Sequence, residues 1–156
     1  MTSKSPTSNL LENEANSPST ILVIFGASGD LTARKLAPAI FNLSLDGLLP
    51  SECFLIGYGR QRMSDDEFKA YLKDSLDAHS RRRIEGKAWE QLEGKISFQA
   101  GSYDDPKSFE ELKLKIEGIE KQLGQPMQCL FYVSTPPGVF KPILENLGKS
   151  GLAKRH

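Results

Sequence analysis

Ile21-Leu22-Val23-Ile24-Phe25 is apolar at every position, without the alternation of a half-exposed strand. Such a run fits a strand buried on both faces of a parallel sheet. It leads into Gly26-Ala27-Ser28-Gly29 and then into helix-forming sequence. Cys53–Gly57 reads as a second strand, Ile96–Ala100 as a weaker third and Met127–Val133 as a fourth. The intervening stretches carry the helical period. A short helical turn is expected from Asp30. Pro38 fits only a first turn, so the helix is expected to break and restart near Leu36. It should then run to about Asp46, with Leu36, Ile40 and Leu43 on one face and Gly47 as its C′ residue. Ser64-Asp65-Asp66-Glu67 is a capping box. Phe68, Tyr71, Leu72, Ser75 and Leu76 form the inward stripe of the helix it opens. A short helix is expected over 87–92, around Trp89. Asp105-Pro106 opens another at 107–122, with Phe109, Leu112, Ile116 and Ile119 on its buried face and Gly124-Gln125-Pro126 as its stop. A last helix begins over 139–148.

Strands alternating with helices mean βαβ units. With right-handed crossovers they give an α/β fold, a doubly wound parallel sheet of the Rossmann type. Ligand then binds at the carboxyl ends of the strands. Four segments lie there: Gly26–Leu31, Gly57–Arg62, Gly101–Asp105 and Ser134–Gly138.

Composition narrows the classes. A length of 156 residues allows one domain with a proper core. Residues 1–19 are polar, with only Leu10 and Leu11 as apolar anchors, and read as a mobile tail before a domain over 20–156. The formal net charge is zero, so nothing favours nucleic acid as a partner. No apolar stretch approaches a membrane span. There is no secretory h-region, and Glu12 and Glu14 argue against a transit peptide, so a cytoplasmic location is expected. Cys53 and Cys129 sit in apolar runs and read as buried reduced thiols, not a disulfide or metal site. His79, His156 and Arg81-Arg82-Arg83 read as surface groups. No metal cluster and no catalytic residue is assigned.

The glycine turn carries the chemistry. Gly26 and Gly29 let backbone approach a bulky anion, and the following helix aims its free N–H groups at it. Thr32 stands where the usual fingerprint has a third glycine, which implies looser helix–strand packing or a variant geometry. At the end of the second strand an NAD-binding fold places an acid for the ribose 2′-hydroxyl. Here Gly57-Tyr58-Gly59-Arg60-Gln61-Arg62 stands instead, with no acid before Asp65. A guanidinium can grip a 2′-phosphate and stack on adenine, so Arg60 predicts NADP. Arg62 is a second candidate, although solvated surface arginines are commoner. Ser102-Tyr103-Asp104-Asp105 could cap the next helix alone, or cap it and line the adenosine side. Tyr103-x-x-x-Lys107 has the spacing of a short-chain reductase pair, but Pro106 keeps Tyr103 out of a helix interior. Ser134-Thr135-Pro136-Pro137-Gly138 stiffens the chain after the fourth strand, either as a simple stop or beside the nicotinamide half. Thr135-Pro136 is a candidate cis bond.

These residues resemble the NADP-binding domain of the glucose-6-phosphate dehydrogenase family. The carriers are Ile24-Phe25-Gly26-Ala27-Ser28-Gly29-Asp30-Leu31 with Arg34-Lys35-Leu36 and Pro38, then Asp46-Gly47-Leu48-Leu49-Pro50, Gly57-Tyr58-Gly59-Arg60-Gln61, Tyr103-Asp104-Asp105, Phe131-Tyr132 and Pro136-Pro137. The resemblance implies that Gly26, Ala27, Ser28, Gly29, Asp30, Leu31, Thr32 and Ala33 hold the pyrophosphate. It implies that Arg60 and Gln61 hold the 2′-phosphate, and that Tyr103 and Asp104 line the adenosine side. Phe140 falls where many members have a cofactor-contacting Tyr. The family oxidises glucose 6-phosphate to its 6-phospholactone with NADP, the first step of the oxidative pentose phosphate pathway. Its Glu-Lys-Pro-Phe-Gly and Arg-Ile-Asp-His-Tyr-Leu-Gly-Lys segments, which serve substrate and general base, do not occur here. The resemblance thus implies a C-terminally truncated piece with the substrate domain absent, which binds NADP but is inactive alone. Glucose 6-phosphate binding and a homo-oligomer are then expected only of the full-length enzyme. A free-standing NADP-binding module is the alternative.

Overall fold

β1 (Thr20–Phe25) pairs in parallel with β2 (Cys53–Gly59) on one side and β4 (Gln128–Val133) on the other. β3 (Ile96–Ala100) pairs outside β2, so the order is β3-β2-β1-β4, all parallel. The computed structural model describes residues 18–50, 52–80 and 86–154. The tail anticipated over 1–19 lies, up to residue 17, outside the described residues, as do Arg81–Arg83 and His156. Ser19 is already tied to the sheet, its carbonyl accepting from the Gln128 amide at 2.9 Å.

The unbroken apolar run of β1 has the expected cause. Ile21, Val23 and Phe25 enter one core with α4 (Pro106–Leu123) and α5 (Phe140–Ser150). Ile24 enters a second core on the opposite face, with α1 (Ala37–Leu45), α2 (Asp65–His79) and α3 (Gly86–Glu93). All of β1 except the half-buried Leu22 is therefore buried, whichever way the side chain points. Helices on both faces make the sheet doubly wound. The order of strands reverses between β1 and β4, and in such sheets ligands bind outside the carboxyl ends at that point.

Several local expectations hold. Ser64 and Glu67 cap α2 reciprocally, at 3.0 Å and 3.2 Å. Asp105 caps α4 through the Lys107 amide, and Gly47 and Gly124 take left-handed conformations after their helices. Four expectations are corrected. The α-helix restarts at Ala37, with Leu36 as its N-cap and Pro38 in its first turn as expected, but the chain before it does not break. Residues from Asp30 onward are helical, and Thr32–Leu36 form a π turn in which the Ala37 N–H reaches the Thr32 carbonyl. The extra residue widens the helix just before Pro38, relieving its ring against the Arg34 carbonyl. Leu43 is exposed, because Ala37, Pro38 and Phe41 form the buried face of α1. Cys129 is buried, but Cys53, at the start of β2, is half-buried. Finally, all described peptide bonds are trans, Thr135-Pro136 included.

The two sheet edges differ. On β3 the Phe98 amide donates to Asp65 (2.8 Å), and its carbonyl accepts from Lys115 (3.3 Å). These side chains occupy groups that a further strand would need. On β4, Leu130 and Tyr132 are exposed.

Candidate functional site

The glycine turn follows β1 and is held from several sides. Gly26 has φ +82°, and its amide donates to the Tyr58 carbonyl at 2.9 Å. The Gly29 amide closes the turn onto the Gly26 carbonyl at 3.0 Å, and the Ala33 amide makes the first helical bond, to Gly29, at 3.2 Å. A Cβ on Gly26 would stand 2.5 Å from the Ser134 carbonyl oxygen. Only glycine lets the turn pass the end of β4 this closely.

Thr32 is fully buried, and its hydroxyl donates to the Gly26 carbonyl at 3.2 Å and lies 3.4 Å from the Ser134 hydroxyl. The packing is therefore not loosened where the third glycine is missing. The variant geometry is the π turn that Thr32 opens. Ala27 is also fully buried, and its amide donates to the Tyr58 carbonyl at 3.2 Å. Ser28, Gly29 and Ala33 are half-buried, whereas Asp30 and Leu31 are exposed. Asp30 pairs with Arg34 one turn on, at 2.9 Å. The first N–H groups of the helix at Asp30 have no partner within it, and the helix dipole adds a positive field there.

Arg60 follows β2. Its guanidinium carbon lies 5.5 Å from the centre of the Tyr103 ring, which comes from the turn after β3. Arg60, Gln61 and Asp104 are exposed, and Tyr103 is buried. The Tyr103 ring thus acts as a floor under Arg60. Burial pushes the Tyr103 phenol up, with the Arg60 charge and the Gly26 backbone pulling the other way. Asp104 accepts from the Ser102 hydroxyl at 2.6 Å, and the Ser102 carbonyl accepts from Tyr58 Oη at 2.6 Å. Burial raises the Tyr58 phenol as well, so it stays a donor. Tyr103 precedes α4, so it shares no helical face with Lys107.

The fold brings Gly26–Ala33, Arg60–Gln61 and Tyr103–Asp104 to one end of the sheet. It adds residues that the sequence did not single out for this site. Asn146 of α5 is buried and donates to the Tyr103 carbonyl at 3.0 Å. Tyr71 of α2 shares its O–H between the Ser28 and Gly29 carbonyls, 3.1 Å each. Asn146 had no signal beyond being polar within an amphipathic helix, and Tyr71 appeared only as a core-stripe residue. Arg62 is exposed, and Phe140 is partly exposed at the start of α5.

The residues fit a dinucleotide on two observations. Gly26 lets the turn pass close to the end of β4, next to the start of the helix. The Thr135 hydroxyl, at the end of β4 beside Gly26, is buried without a hydrogen-bond partner. An orphaned buried hydroxyl is costly unless something completes it. Among the described residues no group of three or more His, Cys, Asp or Glu could hold a metal. No described helix is long and apolar enough to cross a membrane.

A family model described as glucose-6-phosphate dehydrogenase, NAD binding domain, matches residues 23–156. Glucose-6-phosphate 1-dehydrogenase of Chlamydia pneumoniae is 36% identical over 142 residues, covering 91% of this chain and 28% of that protein. Glucose-6-phosphate 1-dehydrogenase 2 of Mycobacterium tuberculosis H37Rv is 33% identical over 133 residues, covering 85% of this chain and 26% of that protein. A glucose-6-phosphate dehydrogenase solved with its substrate glucose-6-phosphate superposes with a TM-score of 0.77 at 30% identity, over 86% of this chain and 28% of that one. The Mycobacterium avium enzyme gives 0.75 at 29% identity, over 88% and 28%. The chain spans about a quarter of the length of these relatives.

Proposed function

The chain belongs to the glucose-6-phosphate dehydrogenase family, as its nucleotide-binding domain, and on that premise we propose that it binds NADP at the strand ends described above. The backbone of Gly26–Ala33 receives the pyrophosphate at the helix N-terminus. Arg60 takes the 2′-phosphate as a charge-assisted pair, with Gln61 beside it. Tyr103 supports Arg60 from below, and Asp104 stands at the adenosine side. The observation that carries the choice of NADP is Arg60 itself. It is exposed after β2, over the Tyr103 ring and with no carboxylate paired to it among the described residues.

In the whole protein the activity is the oxidation of glucose 6-phosphate to the 6-phospholactone. Bound NADP supplies the hydride acceptor for that chemistry. This chain's own residues bind and orient the dinucleotide. The stiff Thr135-Pro136-Pro137 segment borders the end that receives the nicotinamide half. Hydride loss from the sugar also needs a base for the hydroxyl proton. No described histidine stands at the strand ends: His79 closes α2 and is exposed. In this reading the chain by itself binds cofactor and does not turn over sugar. The working location is the cytoplasm.

Calorimetric titration of the chain with NADP and NAD, before and after Arg60→Ala, tests this reading. The substitution should cost NADP about 1.5–3 kcal/mol and NAD little. Equal losses for both nucleotides would remove Arg60 from the 2′-phosphate. No binding of either nucleotide by the unsubstituted chain would end the reading.

A further inference from the structure

We propose that Tyr71 is a positioning residue for the glycine turn: from α2 its hydroxyl holds the turn's peptide planes so that an N–H at the helix start faces the dinucleotide pyrophosphate. This rests on the dinucleotide reading above. The single O–H of Tyr71 is shared between the Ser28 and Gly29 carbonyls, each 3.1 Å from Oη. A trans peptide is planar, with its C=O and N–H pointing opposite ways. Anchoring the Gly29 carbonyl toward α2 therefore turns the Asp30 N–H away from α2, to the side where Asp30 and Leu31 are exposed. Anchoring the Ser28 carbonyl likewise sets the Gly29 N–H, which closes the turn onto Gly26 at 3.0 Å. A carbonyl that accepts a hydrogen bond also polarises its amide and strengthens the N–H as a donor.

Tyr71 is built to hold this place. Its ring stacks on the fully buried Phe68, with centroids 6.5 Å apart and planes 17° from parallel. Its backbone carbonyl accepts from the Ser75 hydroxyl at 2.8 Å. Burial raises its phenol, so the hydroxyl keeps its proton. The glycine turn is thus tied to α2 through one hydroxyl, and α2 is placed by the sheet.

Tyr71→Phe removes the hydroxyl and keeps the ring. The full chain and this variant are titrated calorimetrically with NADP, NAD and adenosine 2′-monophosphate, which lacks a pyrophosphate. NADP and NAD should each weaken by the same factor, about three- to tenfold. Adenosine 2′-monophosphate should bind unchanged, and Tm should fall by no more than about 4 °C. In the nucleotide-free variant the Asp30 and Leu31 amides should exchange faster with solvent while β1 amides do not. Unchanged affinity for both dinucleotides overturns the inference, as does a loss shared by adenosine 2′-monophosphate. If the unsubstituted chain binds neither dinucleotide, the dinucleotide reading fails first and the inference with it.

Discussion

At the residue scale the site depends on how little room Gly26 leaves. Its φ of +82° and the 2.5 Å that would separate a Cβ from the Ser134 oxygen are separate demands on the same position. Gly47, with φ +69° and nothing near its missing Cβ, has the first demand alone. Gly26→Ala should therefore cost about 2–5 kcal/mol of stability, and Gly47→Ala only about 1 kcal/mol. Urea unfolding of the two variants measures the difference, and equal losses would mean that β4 yields to the added methyl. Gly26 and Arg60 were legible in the sequence because backbone freedom and fixed charge belong to residue type. Tyr71 was not, since a tyrosine in an apolar stripe looks the same whether its hydroxyl meets water or a carbonyl. Thr32 shows the same limit. Its position three residues after Gly29 was visible, but not the hydroxyl that ties the turn to Ser134.

At the scale of elements, α2 joins local signal and tertiary role. Ser64 and Glu67 satisfy each other's amides, which starts the helix without help from the rest of the chain. Asp65, the next residue, accepts the Phe98 amide of β3. Ser64→Ala should destabilise the domain by about 1 kcal/mol in urea unfolding, and no measurable loss would mean that tertiary contacts alone hold the helix start. Strands and capped helices were readable because apolar periodicity and caps are local. The π turn at Thr32–Leu36 was not. Proline rules predict a break, whereas the chain stays helical through the π turn into α1, whose Ala37 and Phe41 join the second core.

At the scale of the whole molecule, five groups share one direction of shift. Burial raises the thiols of Cys53 and Cys129 and the phenols of Tyr58, Tyr71 and Tyr103. In the unfolded chain these groups lose protons near about pH 8.5 for thiols and 10 for phenols. Above those values the folded state binds more protons than the unfolded, so stability must fall as pH rises. Urea midpoints under reducing conditions should hold steady near about pH 7 to 8 and drop progressively from about 8.5 to beyond 10. A flat profile would contradict the burial of these groups. By itself the sequence determined the βαβ alternation, the glycine turn after the first strand and the cation after the second, because these follow from periodicity, backbone freedom and charge. Only the tertiary structure decided that Arg60 lies over Tyr103, that Thr32 ties the turn to Ser134, and that Tyr71 anchors it from α2. Each joins residues from different segments, and such meetings depend on strand order and on how helices pack across the sheet, which no local pattern encodes.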